Sequence, residues 1–368
     1  MVSCSSDAVS LSRRRLLSAL LLLPAAPLAF AEGAGRSGLS IVGRWPTGNQ
    51  VLAPFTLQKG RLYLNGDATL ESWDVAAGER LWHKPLPDSA VFRPRISGDT
   101  LISCGRSHLA CFRAGDGEQL WSYQPEFQLG VPVVSDQSVF LGEGNRLLAL
   151  DIATGKVQWS FPINPKARIA YAPVVSDGVV YLGPGDGLLY AIRASDGQLL
   201  WKVDREQDWQ YLRQLQVSNG VLVAGGYHDE LFGLDPSSGR QLWRFNAGNF
   251  INSQHVSGDR VYFWSPTGWI YALSVTTGNM VWRHRTNDFV RNSAKTNWAP
   301  IMAELISDEQ KLYVLAMDDV LHILDTQTGK KLGEFDVPVN VRPFLTLGPK
   351  EGDLIFGSAT ADILVAHA

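Results

Sequence analysis

The sequence predicts an all-β protein, an eight-bladed β-propeller of four-stranded blades. Three observations support this prediction: one phrase recurs about every 40 residues, each repeat contains four short strand patterns, and the two ends of the chain complement each other. The composition agrees, because 35 glycines and 12 tryptophans accompany only 19% charged residues. That balance suits short strands joined by tight turns better than helices.

The repeated phrase is a strand that ends in a glycine turn, with tryptophan four residues after the glycine. Its first copy runs from Asp74-Val-Ala-Ala-Gly78 to Trp82, and its seventh copy has Gly333 where tryptophan is expected. A period near 40 residues is typical of one four-stranded propeller blade. The turn glycines are Gly78, Gly117, Gly155, Gly197, Gly239, Gly278 and Gly329.

The fourth repeat shows the predicted strands of a blade most clearly. Tyr171–Val175 is the inner strand and Val179–Leu182 is the second. The dipeptide Asp186-Gly187 supplies the positive φ angles of a tight hairpin before the third strand, Leu188–Ile192. Leu199–Lys202 is the outer strand, and buried and exposed positions alternate along all four.

The two ends of the chain are predicted to share the eighth blade. Three strand patterns follow the seventh repeat, at Val341–Leu345, Asp353–Phe356 and Asp362–Val365. The missing outer strand is available near the amino terminus, where Leu39–Trp45 reads as an outer strand and carries its tryptophan. Pairing these segments leaves no open edge between the first and last blades. Seven blades with a loose carboxyl-terminal tail is the alternative.

The recurring tryptophans are interpreted as structural. An indole buries about 150–250 Å², which at about 25 cal/mol per Å² contributes on the order of 4–6 kcal/mol as an upper bound. At the same outer-strand position in each blade, these side chains would wedge neighbouring blades together rather than hold a cofactor. They are Trp45, Trp82, Trp121, Trp159, Trp201, Trp243 and Trp282.

Residues 1–31 read as an export signal, so the propeller is predicted to span residues 32–368. The segment Ser12-Arg13-Arg14-Arg15-Leu16-Leu17 precedes an apolar run that ends at Ala29-Phe30-Ala31, a pattern that a signal peptidase can cleave. The paired arginines resemble the twin-arginine signal, and an ordinary secretory signal is the alternative. We therefore expect a periplasmic protein, without a lipid anchor because no cysteine lies near the cleavage site and without a membrane span because the apolar run is short.

Charge and motif content argue against several functional classes. The formal net charge of −3 gives no basic footprint for nucleic acid. The chain contains no glycine-rich phosphate loop in a strand-to-helix context and no His-x-x-x-His pair, and its clustered acidic residues lack the spacing of a calcium loop. We predict no metal, no cofactor and no catalytic residue.

Cys104 and Cys111 are predicted on the second and third strands of the second blade. A four-residue loop over 106–109 would place them directly opposite each other. In an oxidising compartment, a cross-strand disulfide is then expected. The alternative is two small buried thiols that lie one pair apart in the register.

The phrase Leu148-Ala-Leu-Asp-Ile-Ala-Thr-Gly-Lys-Val-Gln-Trp159 resembles the PQQ-like β-propeller repeat, and the resemblance covers essentially all of residues 32–368. Quinoprotein alcohol dehydrogenases share this repeat. So do the proteins of the outer-membrane assembly factor BamB group, which are periplasmic propellers without enzymatic activity. In size and organisation the chain is similar to the BamB group. This resemblance implies a scaffold that binds a protein partner in the cell envelope and is a monomer outside its complex.

Two other functions stay open at this point. A dehydrogenase that uses PQQ with Ca²⁺ would resemble the larger quinoproteins, which hold the quinone beside a disulfide of adjacent cysteines. The three cysteines of this chain include no adjacent pair. A carbohydrate-binding propeller would use Trp264, Trp269 and Tyr227 as exposed aromatic residues.

The partner-binding residues are predicted on one face of the ring. Because successive strands of a blade run in opposite directions, the blade-to-blade connections and the second-to-third turns lie on the same face. Three long connections, at 162–168, 204–213 and 283–298, make the loops of this face differ in length from blade to blade. Alternatively, their aromatic side chains fold inward and seal the channel. The predicted anchors, of residue types common in protein interfaces, are Arg205, Trp209, Tyr211, Leu212, Arg213, Arg285, Phe289, Arg291 and Trp298.

One of these connections adds a second resemblance to the BamB group. In that group a Leu-x-Leu-Arg segment between the fourth and fifth blades contacts the barrel component of the assembly machine. Leu212 and Arg213 occupy a similar place here, within Tyr211-Leu212-Arg213. The resemblance therefore implies that these two residues contact the partner.

Overall fold

The computed structural model describes an all-β chain arranged as eight four-stranded blades, which confirms the predicted propeller. No helix in the described part of the chain is long and apolar enough to cross a membrane. The described residues are 37–51, 53–204, 214–225, 229–248, 251, 253–265, 267–286, 304–316, 320–338, 341–358 and 360–368.

Each of the first six blades is built from four consecutive strands, with the inner strand first and the outer strand last. Blades one and two contain β3 to β6 (Thr56–Gln58, Arg61–Gly66, Thr69–Asp74, Glu79–Pro85) and β7 to β10 (Arg95–Ser97, Thr100–Cys104, Leu109–Arg113, Gln119–Tyr123). Blades three and four contain β11 to β14 (Val133–Ser135, Ser138–Glu143, Arg146–Asp151, Val157–Pro162) and β15 to β18 (Val174–Ser176, Val179–Leu182, Leu188–Arg193, Leu199–Asp204). Blades five and six contain β19 to β22 (Gln214–Ser218, Val221–Gly225, Glu230–Leu234, Gln241–Asn246) and β23 to β26 (Ser253–Ser257, Arg260–Ser265, Trp269–Ser274, Met280–Arg285).

The last two blades use strands from both ends of the chain. The seventh blade contains β27 to β30 and a fifth strand, β1, which pairs parallel to β30. The eighth blade contains β31 to β33 and takes β2 as its outer strand, so the predicted closure is confirmed. The two amino-terminal strands are β1 (Ser37–Gly38) and β2 (Ser40–Pro46). The seventh blade's own strands are β27 (Glu304–Ser307), β28 (Lys311–Leu315), β29 (Val320–Asp325) and β30 (Lys331–Asp336). Those of the eighth are β31 (Val341–Leu347), β32 (Asp353–Ser358) and β33 (Asp362–His367).

The second and third strands of every blade are almost entirely buried, and their side chains form apolar clusters between neighbouring blades. Outer strands alternate between exposed and half-buried positions instead. This pattern arises because both sheet faces pack against neighbouring blades near the axis, whereas blades diverge toward the circumference. The hydrophobic core is therefore a ring of inter-blade layers.

Each outer strand carries a β-bulge where it pairs with the third strand. In the fourth blade, Ala191 pairs with Trp201 and Ile192 pairs with Leu199, so Leu200 is the extra residue. A bulge bends a strand and re-aims its side chains. Here it exposes Leu200 and directs Trp201 toward the next blade.

The recurring indoles join each blade to the one that follows. In six blades the indole Nε1 donates a hydrogen bond to a carbonyl oxygen at the third-to-fourth turn of the next blade, at 2.7–3.2 Å. Trp45 instead stacks on Trp73 of the first blade, with ring centroids 6.1 Å apart. The six donor–acceptor pairs are Trp82–Ala114, Trp121–Ile152, Trp159–Ala194, Trp201–Pro236, Trp243–Val275 and Trp282–Thr326.

Candidate functional site

The two faces of the ring differ in regularity. On one face, the seven third-to-fourth turns repeat a single design, in which the turn glycine has φ between 68° and 73°. In the third blade the Gly155 amide donates to the Asp151 carbonyl, and the Asp151 carboxylate accepts from the amide and hydroxyl of Thr154. The opposite face carries the blade-to-blade connections, which differ in length and sequence. We call this opposite face the irregular face.

Arg285 is the one predicted anchor that lies within the described residues. It ends the outer strand of the sixth blade at the irregular face, and it donates to the Thr267 carbonyl at 3.1 Å. Its guanidinium carbon lies 4.9 Å from the ring centroid of Trp269, and that of Arg283 lies 4.4 Å from the same ring. Trp269 is thus held between two exposed guanidinium groups.

Strand geometry produces this arrangement. Arg283 and Arg285 are two residues apart on one strand, so their side chains point to the same face of the sheet. Their cross-strand partners are Tyr271 and Trp269. Burial raises the pKa of Tyr271, and the positive charges of the two arginines oppose that rise. We call Trp269, Arg283 and Arg285 the arginine–tryptophan platform, which presents aromatic area and positive charge together.

A second ordered feature of the irregular face was not predicted from the sequence. Phe127, in the connection between the second and third blades, is 58% exposed. The Arg146 guanidinium lies 6.0 Å from its ring centroid and forms an ion pair with the fully buried Glu143 at 2.7 Å. Glu143 also accepts the backbone amide of Glu126 at 2.6 Å. Because Glu143 ties the connection to the β12–β13 hairpin, Phe127 is displayed on a fixed support.

The neighbouring connection at 162–168, predicted to be part of the binding face, packs against this support. The Ile169 amide donates to the Gly144 carbonyl at 2.9 Å, and Arg168 donates to the Gln128 side chain at 2.8 Å. Ile163 and Ile169 are buried beneath it.

The sequence signal for Phe127 was a lone aromatic residue in a polar stretch between two blades. This signal is weak because such residues often face inward.

The other predicted anchors, among them the aromatic residues of the inward-sealing alternative, lie outside the described residues. They are Arg205, Trp209, Tyr211, Leu212, Arg213, Phe289, Arg291 and Trp298.

The predicted register of the cysteines is wrong. Cys104 pairs with Leu109, and Cys111 pairs with Ile102, so the two residues lie two pairs apart in the register as buried free thiols. The reason is that the hairpin loop spans 105–108, which starts the third strand at the fully buried Leu109. Burial raises the pKa of both thiols, that of Cys111 to about 12, so neither is an activated nucleophile.

The aromatic residues of the carbohydrate alternative do not form an exposed surface. Trp264 is only 1% exposed, because it packs between the sixth and seventh blades, so its predicted exposure is wrong. Trp269 is half-buried beside the two arginines, and Tyr227 lies outside the described residues. Within the described ranges, no three His, Cys, Asp or Glu side chains are grouped so that they could hold a metal ion.

Comparison with known proteins gives the family. The family model described as outer membrane protein assembly factor BamB matches residues 105–215 and 207–342, from the second blade to the start of the eighth. This chain belongs to that family. The outer membrane protein assembly factor BamB of Yersinia pestis is 26% identical over 239 residues, which cover 58% of this chain and 61% of that protein. The chain thus spans about 60% of the length of the curated relatives it matches.

Solved structures agree on the fold. The crystal structure of BamB from Moraxella catarrhalis has a TM-score of 0.65 and 18% identity, and the match covers 90% of this chain and 98% of that one. The quinohemoprotein alcohol dehydrogenase from Comamonas testosteroni has a TM-score of 0.68 and 12% identity, with 90% and 76% covered. Since a BamB family member and an enzyme are both similar in structure, fold similarity does not decide the function.

Proposed function

We propose that this chain is a non-catalytic protein-binding scaffold of the periplasm that takes part in outer-membrane protein assembly. The main support is the contrast between the two faces. One face repeats the same turn, whereas the irregular face displays the exposed Phe127 and the arginine–tryptophan platform. Membership of the BamB family supplies the direction of the proposal, because its relatives are named for outer-membrane assembly.

The residue types on the irregular face suit a protein partner. Tryptophan and arginine are enriched among the residues that contribute most to protein–protein binding, and an aromatic ring held in one rotamer loses little entropy on binding. Trp269 is held between Arg283 and Arg285, and Phe127 rests beside Arg146. We therefore propose that the partner contacts this face, together with Leu212 and Arg213 of the connection at 204–213.

The absence of catalysis in this proposal rests on the chemistry of the side chains. The two thiols of the propeller are buried with raised pKa values, which disfavours the reactive thiolate. The chain also lacks the adjacent cysteine pair of the quinoproteins to which it is similar in fold. A scaffold needs neither group.

The proposal is tested by capture of the barrel component of the assembly machine from the same organism. The double variants Trp269→Ala/Arg285→Glu and Leu212→Ala/Arg213→Ala should each weaken binding at least tenfold while the thermal unfolding temperature stays within a few degrees. Arg240→Ala is the matched control, because Arg240 is 69% exposed on the regular face. Fractionation of cells should recover the wild-type protein from the periplasm.

Two outcomes would contradict the proposal at different levels. Wild-type binding by both double variants would remove the contact from the irregular face. A wild-type protein that does not bind the barrel component would remove the role in outer-membrane assembly.

A further inference from the structure

A cavity of about 390 Å³ lies at the inner end of four blades, separate from the arginine–tryptophan platform. Its walls come from the first strands of blades one, two, three and eight, the strands that surround the axis. The second blade contributes Arg93 and Arg95, the eighth contributes Thr346, and Phe55 and Val133 supply apolar wall. Binding cavities for small molecules are commonly about 300–1,000 Å³.

The charge of Arg95 has no carboxylate partner within the described ranges. Arg93 and Arg95 both line it, and its described lining contains no carboxylate. The Arg95 Nε donates to the Pro132 carbonyl at 3.0 Å, and no ion pair joins Arg95 to an acidic residue within the described ranges. The remaining donors of the Arg95 guanidinium are therefore left for another acceptor.

The surroundings of Arg95 disfavour the charged form of its side chain, as its lowered pKa indicates. Removal from water, followed by repulsion from Arg93, lowers the pKa of Arg95 to about 10. A charge placed in a poorly hydrated site without a counter-charge destabilises the fold unless a partner compensates it. An anion that enters the cavity would provide that compensation.

We propose that this cavity is a binding site for a small anion that carries a carboxylate or phosphate group. The Arg95 guanidinium would hold the anion, because its planar set of donors matches both groups with two parallel hydrogen bonds. The Thr346 hydroxyl, from the eighth blade, would be a further donor, whereas the Thr56 hydroxyl is engaged with the Pro94 carbonyl. This site is independent of the partner-binding function.

A purely structural role for Arg95 makes a different prediction. If the arginine served only to hold the Pro132 carbonyl, its replacement would lower stability equally with and without anions. If it holds an anion, replacement should leave the protein at least as stable as the wild type in anion-poor buffer and abolish the response to added anion. The stability response to anion therefore separates the two roles.

The test measures thermal unfolding and calorimetric binding of residues 32–368 in HEPES buffer at constant ionic strength. Inorganic phosphate and succinate are added separately, and glucose serves as the uncharged control. We expect a saturable rise in the unfolding temperature with phosphate, succinate or both, and none with glucose. Which anion acts identifies the source of the negative group.

Three variants complete the experiment. Arg95→Gln should weaken anion binding at least tenfold, Arg95→Lys should retain part of it, and the exposed Arg240→Gln should bind like the wild type. If Arg95→Gln does not fold, Thr346→Val, which removes one donor, should weaken binding several-fold. The proposal is overturned if the wild type shows no saturable response to either anion, or if the variants in the cavity bind as tightly as the wild type.

Discussion

At the scale of single residues, the indole of one blade and the turn glycine of the next form one contact. A Cβ atom placed on any of the seven turn glycines would lie 2.5–2.8 Å from indole atoms of the preceding blade. These glycines also have positive φ, so both the backbone conformation and the neighbouring ring favour glycine. Within one repeat, the turn glycine thus contacts the indole of the preceding blade, and the tryptophan four residues later contacts the turn of the following blade.

Two glycines of the fourth blade separate these two requirements. Gly178 and Gly197 share a φ of 73°, but a Cβ on Gly197 would lie 2.7 Å from Trp159, whereas one on Gly178 would meet nothing within 4 Å. Gly178→Ala should cost about 1 kcal/mol for the backbone alone. Gly197→Ala should cost a further 1–3 kcal/mol or so, because the indole must move. Urea unfolding of both variants measures the difference, and equal losses would show that the indole contact contributes nothing.

The buried thiols provide a second prediction at this scale. Because burial raises the pKa values of Cys104 and Cys111, native residues 32–368 should resist alkylation by iodoacetamide at pH 8. In denaturant both thiols should react, which mass spectrometry would count as two adducts. Failure to label either residue in denaturant without reductant, followed by labelling after reduction, would indicate a disulfide instead.

At the scale of elements, the seventh blade shows why one tryptophan is absent. A tryptophan at position 333 would dock on the third-to-fourth turn of the eighth blade, but no such turn joins β33 to β2. The segment before β2 contacts the end of β30 instead. Its strand β1 pairs with β30, the Leu39 amide donates to the Asp336 carbonyl at 3.0 Å, and the Leu39 side chain is buried.

The joint between the closing strand β2 and the first blade is also unlike the others. Trp45 stacks on Trp73, and the Trp73 indole donates to the buried Glu71 carboxylate at 2.8 Å. Arg80 lies 3.6 Å from Glu71 and donates to the Thr47 carbonyl at 3.3 Å. An aromatic stack and a polar network therefore hold β2 where the other blades have an indole and a carbonyl.

Glu71 should make this joint sensitive to pH. Burial raises the pKa of its carboxyl above the ordinary 4.5, and the Trp73 N–H, Arg80 and His83 oppose the rise. The native state therefore binds the proton more readily than the unfolded state, so stability decreases as pH rises from 4.5 through the native pKa. Glu71→Gln should raise the unfolding temperature at pH 7, by on the order of 2 °C.

The gain from Glu71→Gln should shrink as the pH falls toward 4.5 and disappear below it, because the wild-type carboxyl is then protonated in both states. Thermal unfolding between pH 4 and 8 measures this, with the exposed Glu118→Gln as the control. A loss of stability at pH 7 would mean instead that the attraction between Glu71 and Arg80 exceeds the cost of burying the charge.

At the scale of the whole molecule, pairing of β2 with β33 closes the ring. Gly43 is the register partner of Val365, and a Cβ on Gly43 would lie 3.3 Å from the Val365 Cβ. This separation is close to the 3.5–4.5 Å typical of a disulfide. The double variant Gly43→Cys/Val365→Cys should therefore oxidise and stabilise the propeller by about 2–4 kcal/mol.

Oxidised and reduced forms of this variant should be compared by guanidinium unfolding, in protein that starts at residue 32. Gly48→Cys/Val365→Cys is the control, because a side chain at Gly48 would meet nothing within 4 Å. Equal cross-linking in the two variants would indicate that β2 is not held in the native register.

The propeller architecture could be predicted because a short sequence phrase specifies each blade and this phrase is repeated along the chain. The Gly–Trp phrase and the period near 40 residues depend on neighbouring residues, and repetition reinforces them. The split eighth blade was predicted from complementary strand patterns at the two ends of the chain. Register was less predictable: one loop position decided whether Cys104 faced Cys111 or Leu109, and both choices satisfy the alternation of buried and exposed residues.

The surface chemistry needed the tertiary structure. Arg283 and Arg285 meet Trp269 across a hairpin, Glu143 supports Phe127 from another blade, and Arg95 shares a cavity with Thr346, which is distant in sequence. The sequence alone determined the blade, because strand alternation and turn conformation are local properties, and the strand patterns at its two ends predicted the closure. Tertiary structure decided which side chains are buried without a counter-charge and which are displayed, because those properties depend on neighbours that the chain brings together only when the ring closes.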